Sequence, residues 1–460
     1  MSLDKSKTKV AVIGLGYVGL PLACLAARRG YNVIGVDKKK QIVELTNKGK
    51  SHIKDDYLQN SLNKTQGRLK ATTDFSLTKD CNIFIICVPT PVLENKEPDF
   101  QPLISSANDI APYIKKNDLI VVESTVFPGT CEEYVLPILE KKSGLTKNEF
   151  YFSHCPERVN PGDAFWTVEN IPRVVGGLNE KATELTAEFY QSLLLGAVYK
   201  VEDVKKVLRP KFSMNKDGSY NVKMMPLGSI TKMNSLRDAE AVKVMENAVR
   251  DVNIAFVNEL AKISDVLDLD VLDIVEGMST KPFGKGPFYP GIGVGGHCIA
   301  VDPEWLKSAS IKKGFFPKMI QISRDTNNSM PHYAVSLLEK ELGSLENKKI
   351  AVLGVTYKGN IDDPRESPFY DVKKILLEKK AKINVFDPWF EKENNVNSIN
   401  DALKETEAII LVTDHDIFKN EIKAELLKKY NIKIVIDGRN CLDKKDILNN
   451  NIKYKGIGRK

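Results

Sequence analysis

The sequence predicts an α/β protein with two parallel-sheet domains joined by a central helical domain that carries a long bridging helix. Three observations carry this prediction. A glycine-rich strand–turn–helix pattern spans residues 9–20, a second copy spans residues 349–359, and between them residues 237–267 contain neither Pro nor Gly. At 460 residues the chain has room for two or three domains, each large enough to bury a core.

The first domain, residues 1–204, opens on Lys9-Val-Ala-Val-Ile-Gly-Leu-Gly-Tyr-Val-Gly19, a buried strand followed by Gly14, Gly16 and Gly19 and an apolar helix from Leu20. Gly14 makes the tight turn, Gly16 lets the backbone approach a pyrophosphate, and Gly19 lets helix pack on strand. The helix N-terminus receives the phosphates. The next strand, Tyr31-Asn-Val-Ile-Gly-Val-Asp37, ends on an acid 18 residues after Gly19, placed to accept hydrogen bonds from the adenosine ribose. This is a Rossmann-like dinucleotide layout. Lys38, Lys39 and Lys40 would tolerate a 2′-phosphate but Asp37 would repel one, so NAD is expected over NADP.

Further strands are predicted at 81–88, 119–123 and 149–153, each running into a loop: Pro89-Thr90-Pro91, Ser124–Thr130 and Cys155-Pro-Glu-Arg158. Such loops at carboxyl strand ends line the ligand crevice of an open α/β sheet, and Pro and Gly also simply turn the chain there. Residues 205–229 read as a basic, polar insertion, either a lid or a subunit contact, with a lid expected because it leads directly into the long helix.

The central domain, residues 230–335, is predicted to begin with a helix over 237–267. Ala241, Val244, Met245, Ala248, Val252, Ala255 and Phe256 recur at helical spacing. Some 30 residues make a helix about 45 Å long at about 1.5 Å per residue, enough to bridge domains and to pair with its copy in a second subunit. Lys243 and Asn247, four apart, share one face. Then comes Gly291-Ile-Gly-Val-Gly-Gly-His-Cys-Ile-Ala-Val-Asp302-Pro-Glu-Trp305. Its four glycines remove side chains and let a substrate approach the backbone, which argues against an inert buried thiol at Cys298. Asp302 before Pro303 reads as a helix N-cap with Pro at the first helical position.

In the third domain, residues 336–460, Lys349-Ile-Ala-Val-Leu-Gly-Val-Thr-Tyr-Lys-Gly359 aligns with residues 9–19, with Thr356 replacing the middle glycine. Strands are predicted at 381–387, 408–413 and 433–437. The domain reads as a second, degenerate Rossmann-like unit that takes a nucleotide other than a dinucleotide.

Composition fits this plan. A chain 42% hydrophobic and 28% charged is an ordinary soluble globular protein. Residues 1–8 are polar and no apolar run nears the roughly 18 residues of a membrane helix, so neither signal peptide nor membrane span is expected. A net charge of +7 without a basic block suits an anionic small substrate and not nucleic acid. The seven cysteines contain no C-x-x-C pair and mostly sit in apolar runs, as in a reducing cytoplasm. The five histidines form no metal-ligand spacing, so no metal is expected.

Taken together the motifs resemble the UDP-glucose/GDP-mannose dehydrogenase family. The resemblance covers nearly the whole chain. It rests on Gly14-Leu-Gly-Tyr-Val-Gly-Leu-Pro21, Val88-Pro-Thr-Pro91, Glu123-Ser-Thr-Val126, Cys155-Pro-Glu-Arg158 and Glu246-Asn-Ala-Val-Arg-Asp-Val-Asn-Ile-Ala-Phe256. It continues through Gly295-Gly-His-Cys-Ile-Ala-Val-Asp-Pro303, Tyr357-Lys358, Asp363-Pro-Arg-Glu-Ser-Pro368 and Asp437-Gly-Arg439. It implies NAD-dependent, four-electron oxidation of a sugar 6-hydroxymethyl group to a carboxylate in one active site, supplying precursors of surface polysaccharide or glycan. It also implies a homodimer paired through the central helix.

The resemblance also implies roles. Cys298 is the nucleophile, because removing a second hydride requires the aldehyde first to become tetrahedral. Lys243 and Asn247 stabilise the oxyanion. Asp302, with Lys243 and an ordered water, accepts the proton, while Glu157 and Thr125 orient the hydrolytic water, Glu157 as base. The cofactor is assigned to Gly14, Gly16, Tyr17, Val18, Gly19 and Asp37, then Pro89, Thr90 and Thr125, with Arg365 on the phosphates. The substrate is assigned to Glu157, Arg158, Val159, Lys243, Asn247, Arg250, Gly295 and His297, with Lys358 and Arg439 on the diphosphate.

His297 and Val301-Asp302-Pro303 resemble the branch acting on UDP-N-acetylhexosamines. Cys155-Pro-Glu-Arg-Val159 and Ile299-Ala300 look most like the UDP-N-acetyl-D-mannosamine dehydrogenases, with UDP-N-acetylglucosamine, UDP-N-acetylgalactosamine and UDP-glucose as alternatives. Two features depart from the family pattern: the 205–229 insertion, and Lys281 and Lys285 where an arginine, better at bidentate phosphate contact, is expected. A nucleotide-sugar epimerase and a non-catalytic NAD-binding protein are the competing readings.

Overall fold

The structure is a computed structural model and describes residues 4–459 except 6, 54, 94–96, 160–164, 209–224, 281–286 and 297. The chain divides into two compact units, Met1–Met245 and Glu246–Lys460.

The first unit is built on nine strands: β1 Lys9–Ile13, β2 Asn32–Val36, β3 Leu69–Thr72, β4 Ile83–Ile86, β5 Leu119–Val122, β6 Tyr151–His154, β7 Arg173–Gly177, β8 Val198–Lys200 and β9 Ile230–Lys232. Their order is β3-β2-β1-β4-β5-β6-β7-β9-β8. Strands β4 and β5 are uninterrupted apolar runs because both faces are buried, as parallel sheets under helices require. One core lies around Val10, Val12, Ile83 and Val121, and a second around Ala11, Ile13, Phe84 and Ile120, the alternate residues of the same strands. The strand order reverses between β1 and β4, both parallel, which opens the crevice at their carboxyl ends. β7 runs antiparallel to β6, with Ser153 opposite Gly177. It was not foreseen, since an arginine opens it and two glycines close it.

The second unit carries five parallel strands, β10 Lys349–Leu353, β11 Lys382–Phe386, β12 Ala408–Leu411, β13 Ile434–Asp437 and β14 Lys453–Gly456, in the order β11-β10-β12-β13-β14. The edge strand β14, Lys-Tyr-Lys-Gly, was too short and polar to read from sequence.

The long helix runs Leu236–Val266, one residue from expectation at each end. Its predicted apolar row divides in two. Val244, Ala248 and Ala255 are buried, whereas Met245 and Phe256 are 49% and 59% exposed. Positions one residue apart are turned by about 100° around a helix, so the seven residues cannot share one face. The 205–229 insertion begins within the helix Val201–Leu208 and ends just before β9, which separates it from the long helix. Residues 209–224, on which the lid expectation rests, lie outside the described residues. No described helix is long and apolar enough to cross a membrane.

Candidate active site

The three glycines of the first turn do what their spacing demands. Gly14 has φ +89°, and a Cβ there would stand 2.7 Å from the Cys87 carbonyl oxygen. At Gly19 a Cβ would lie 1.8 Å from the Gly14 carbonyl oxygen, so only glycine lets helix and turn meet. At Gly16 nothing lies within 4 Å, which leaves the open backbone cradle a pyrophosphate needs. Tyr17 stands half-exposed and Val18 precedes the helix Gly19–Arg28, which has no acidic residue in its first turn.

Asp37 follows β2 with its carboxylate turned back to the glycine loop: Oδ2 accepts the Leu15 N–H at 2.9 Å and Oδ1 the Lys39 N–H at 2.8 Å. The next two loops are tied together. Ser124 Oγ donates to the Val88 carbonyl at 2.7 Å, and Thr90 Oγ1, beyond Pro89, donates to the Thr125 carbonyl at 2.8 Å. These residues fit a dinucleotide.

Glu157 stands in the loop after β6 in a buried charge cluster that sequence reasoning missed. Its Oε1 accepts the N–H groups of Arg158 and Val159 at 2.7 and 2.6 Å, and its Oε2 accepts from Arg173 Nη2 at 2.8 Å. Arg173, 1% exposed, also reaches Glu123 Oε1 at 3.1 Å and lies over the Tyr190 ring, whose hydroxyl donates to Glu123. Burial pushes the Glu123 carboxyl up, against the pull of Arg173. Two carboxylates on one guanidinium hold the Cys155–Val159 loop rigidly. The only sequence signal was an arginine at the head of a buried strand.

Lys243 projects from the long helix beside His154, the last residue of β6. Burial foremost, and the Lys243 ammonium after it, push His154 down to about 3, so its imidazole is neutral. One turn further along, Asn247 Nδ2 donates to Asp302 Oδ2 at 2.6 Å. Asp302 is not the expected N-cap. It is the first residue of the helix Asp302–Lys312, with Val301 before it and Pro303 second, and its main-chain N–H donates to the Cys298 carbonyl at 2.9 Å. One oxygen of its carboxylate faces Asn247. Of the seven cysteines only Cys298 is exposed.

Two of the glycines before Cys298 are closely packed. A Cβ at Gly295 would meet Tyr357 Cβ at 2.6 Å and the Glu366 carbonyl oxygen at 2.7 Å, and one at Gly296 would meet the Tyr357 ring at 2.8 Å. Gly295 and Gly296 therefore make room for neighbouring protein. His297, Lys281 and Lys285 lie outside the described residues.

In the C-terminal sheet three strand-end loops converge on Asp414. Arg439, following β13, pairs with Asp414 at 3.4 Å, and a Cβ at Gly359, next to Lys358, would meet the Asp414 carbonyl oxygen at 2.6 Å. Thr356 occupies the place of the missing glycine. Its Oγ1 lies 3.2 Å from His415 Nε2, which in turn lies 3.1 Å from Asp387, the counterpart of Asp37. That buried cluster fills the cradle left open at Gly16. Arg365 donates to both oxygens of Asp363, at 2.8 and 2.6 Å, and its carbonyl accepts the Gly296 N–H at 3.0 Å, which places it against the cysteine loop. Arg250 is exposed on the long helix.

Three family models match in order: the NAD binding domain of the UDP-glucose/GDP-mannose dehydrogenase family over residues 8–194, its central domain over 237–329 and its UDP binding domain over 351–444. A UDP-N-acetyl-D-mannosamine dehydrogenase of Methanococcus aeolicus is 35% identical, covering 98% of this chain and 95% of that protein. A UDP-N-acetyl-D-glucosamine 6-dehydrogenase of Salmonella typhi is also 35% identical, covering 90% of this chain and 91% of that protein. Among solved structures, a UDP-D-ManNAc dehydrogenase from Pyrococcus horikoshii superposes with a TM-score of 0.85 at 33% identity, covering 98% of this chain and 99% of that one.

Proposed function

The chain belongs to the UDP-glucose/GDP-mannose dehydrogenase family and is an NAD-dependent UDP-sugar dehydrogenase, and from that premise we propose that it oxidises the C6 hydroxyl of a UDP-N-acetylhexosamine, UDP-N-acetyl-D-mannosamine first, to the uronic acid through Cys298. The observation that carries the reading is Cys298 itself: an exposed thiol with its carbonyl tied to Asp302, in a chain whose other cysteines are buried or partly so.

NAD, when bound, takes up the hydride in each of the two oxidations. The protein's residues supply the rest. Lys243 and Asn247 offer a cation and an amide donor to the oxygen that gains charge at C6, and Asp302, with Lys243 and a water, takes the hydroxyl proton. Cys298 Sγ then adds to the C6 aldehyde, and the proton gained by its oxygen makes a thiohemiacetal. Loss of the second hydride leaves a thioester, and water cleaves it to the carboxylate and the free thiol.

Glu157 serves the water in that last step. Two backbone N–H groups occupy Oε1, so Oε2, which receives Arg173 but keeps a further lone pair, is the oxygen assigned to orient it, and Thr125 is assigned to the same water. Tyr17, Val18, Pro89 and Thr90 line the cofactor crevice, and Arg365 is assigned to the cofactor phosphates. Lys358 and Arg439 carry the diphosphate; Arg158, Val159, Arg250, Gly295 and His297 complete the substrate assignment. The protein is proposed to act in the cytoplasm as a homodimer.

The names of the relatives support an N-acetylhexosamine, and two epimers stand at the same identity. NADH formed per mole of sugar nucleotide tests this, with the mannosamine, glucosamine and galactosamine derivatives and UDP-glucose compared. Two equivalents with the mannosamine substrate preferred are expected. No NADH from any of the four would sink the reading, and preference for another sugar would replace the substrate alone.

A further inference from the structure

The loop that carries Cys298 is fastened on both sides to one buried stripe of the long helix, and the geometry points to Asn258 as a positioning residue for the nucleophile. The inference rests on the reading of Cys298 given above.

A helix face turned to the interior is normally apolar, yet here Asn247, Asp251 and Asn258 are 7%, 1% and 0% exposed. Offsets of four and seven residues put all three on one stripe. A buried amide or carboxylate is costly unless it is bonded, so their partners say what they are for. Asn247 holds Asp302, whose N–H holds the Cys298 carbonyl; this is the anchor after the cysteine. Asn258 Oδ1 accepts the Gly291 N–H at 2.9 Å, which is the anchor before it.

Asn258 is itself held. Its Nδ2 donates to Asn327 Oδ1 at 2.9 Å, and Asn327 Nδ2 donates to Asp251 Oδ1 at 2.7 Å. Arg324 Nη1 donates to the same Asp251 oxygen at 2.7 Å, so the buried carboxylate has a buried cation against it. The chain of bonds thus starts on the helix, crosses to the neighbouring helix Lys318–Asn328 and returns, fixing the amide plane that faces Gly291.

The loop needs such external fixing. Gly293 and Gly296 have φ of +135° and +84°, and four glycines in six residues leave the segment with little of its own to hold it. Displacing a reacting atom by about 1 Å can cost roughly 100-fold in rate, so an anchor seven residues from the thiol bears on turnover without touching substrate.

Asn258→Ala removes the acceptor for Gly291 and the donor to Asn327. We expect kcat to fall about 10- to 100-fold with the KM for NAD unchanged. Amide hydrogen exchange in the peptide spanning 291–302 should rise about tenfold while that of β10 to β13 stays as it was. Asn258→Asp keeps the acceptor toward Gly291 but loses the donor to Asn327, so its kcat should fall between those of Asn258→Ala and the parent. A kcat within about twofold of the parent, or exchange raised evenly across the second unit, would overturn the positioning role. If Asn258→Ala does not fold, Asn258→Ser replaces it with the same two outcomes. Cys298→Ala is run alongside: if it still yields two NADH per sugar, the nucleophile reading fails, whereas an inactive Cys298→Ala beside a fully active Asn258→Ala overturns the role of Asn258 alone.

Discussion

At the scale of single residues, His154 makes the first unit sensitive to acid. Burial, with Lys243 second, holds it down to about 3, against about 6.5 in an unfolded chain. The unfolded state therefore binds more protons below about pH 6.5, and stability falls as pH drops from there toward about 3, by about 1.4 kcal/mol per pH unit. Above that window the group contributes nothing to the slope. Urea titrations of the parent and His154→Gln at pH 7 and pH 5.5 should differ, the parent losing about 1 kcal/mol more; equal losses would contradict a neutral buried imidazole. What could be read of such residues in advance depended on whether their chemistry is local. Asp37 and Cys298 announce themselves by what surrounds them in the chain. Arg173 and Asn258 act through partners 16 and 33 residues away, and nothing near them in sequence marks them.

At the scale of elements, the glycine turn separates two kinds of requirement. Gly19 is needed by the fold, since a Cβ would stand 1.8 Å from a carbonyl oxygen, whereas Gly16 faces open space and is needed only by a ligand. Gly19→Ala should lower the thermal midpoint by several degrees and reduce the yield of folded protein. Gly16→Val should melt like the parent yet bind NAD about tenfold more weakly, as a loss of about 1.4 kcal/mol in fluorescence titration. Equal NAD affinity in Gly16→Val would remove the cradle. Strands β1, β4, β5, β10, β12 and β13 were legible because burial on both faces leaves nearly continuous apolar runs. The short strands β8 and β9 carry too few residues for any period to form. The helix at Asp302 was legible as an element, but its first residue was not: a capping pattern places a boundary only to within a residue or two.

At the scale of the whole molecule, the long helix presents a second stripe besides its buried one. Val249, Phe256 and Ile263 recur every seven residues and are 48%, 59% and 44% exposed, with Met245 beside them. An apolar heptad row of this kind suits pairing with a second copy. Phe256→Asp should convert the proposed dimer to a monomer in sedimentation velocity, and an unchanged coefficient would exclude this face. The two Rossmann-like domains were readable because the glycine pattern occurs twice, and the fate of the second copy was readable from Thr356, whose side chain takes the place of the middle glycine. The central claim is that Cys298 carries the substrate between the two oxidations. Its most direct test is acid quenching during turnover with UDP-N-acetyl-D-mannosamine and NAD, followed by mass spectrometry of the peptide containing residue 298, in the parent and in Glu157→Gln. The account predicts a uronyl thioester on Cys298, more abundant when Glu157 is replaced. An unmodified cysteine in both proteins while NADH is being formed would contradict it.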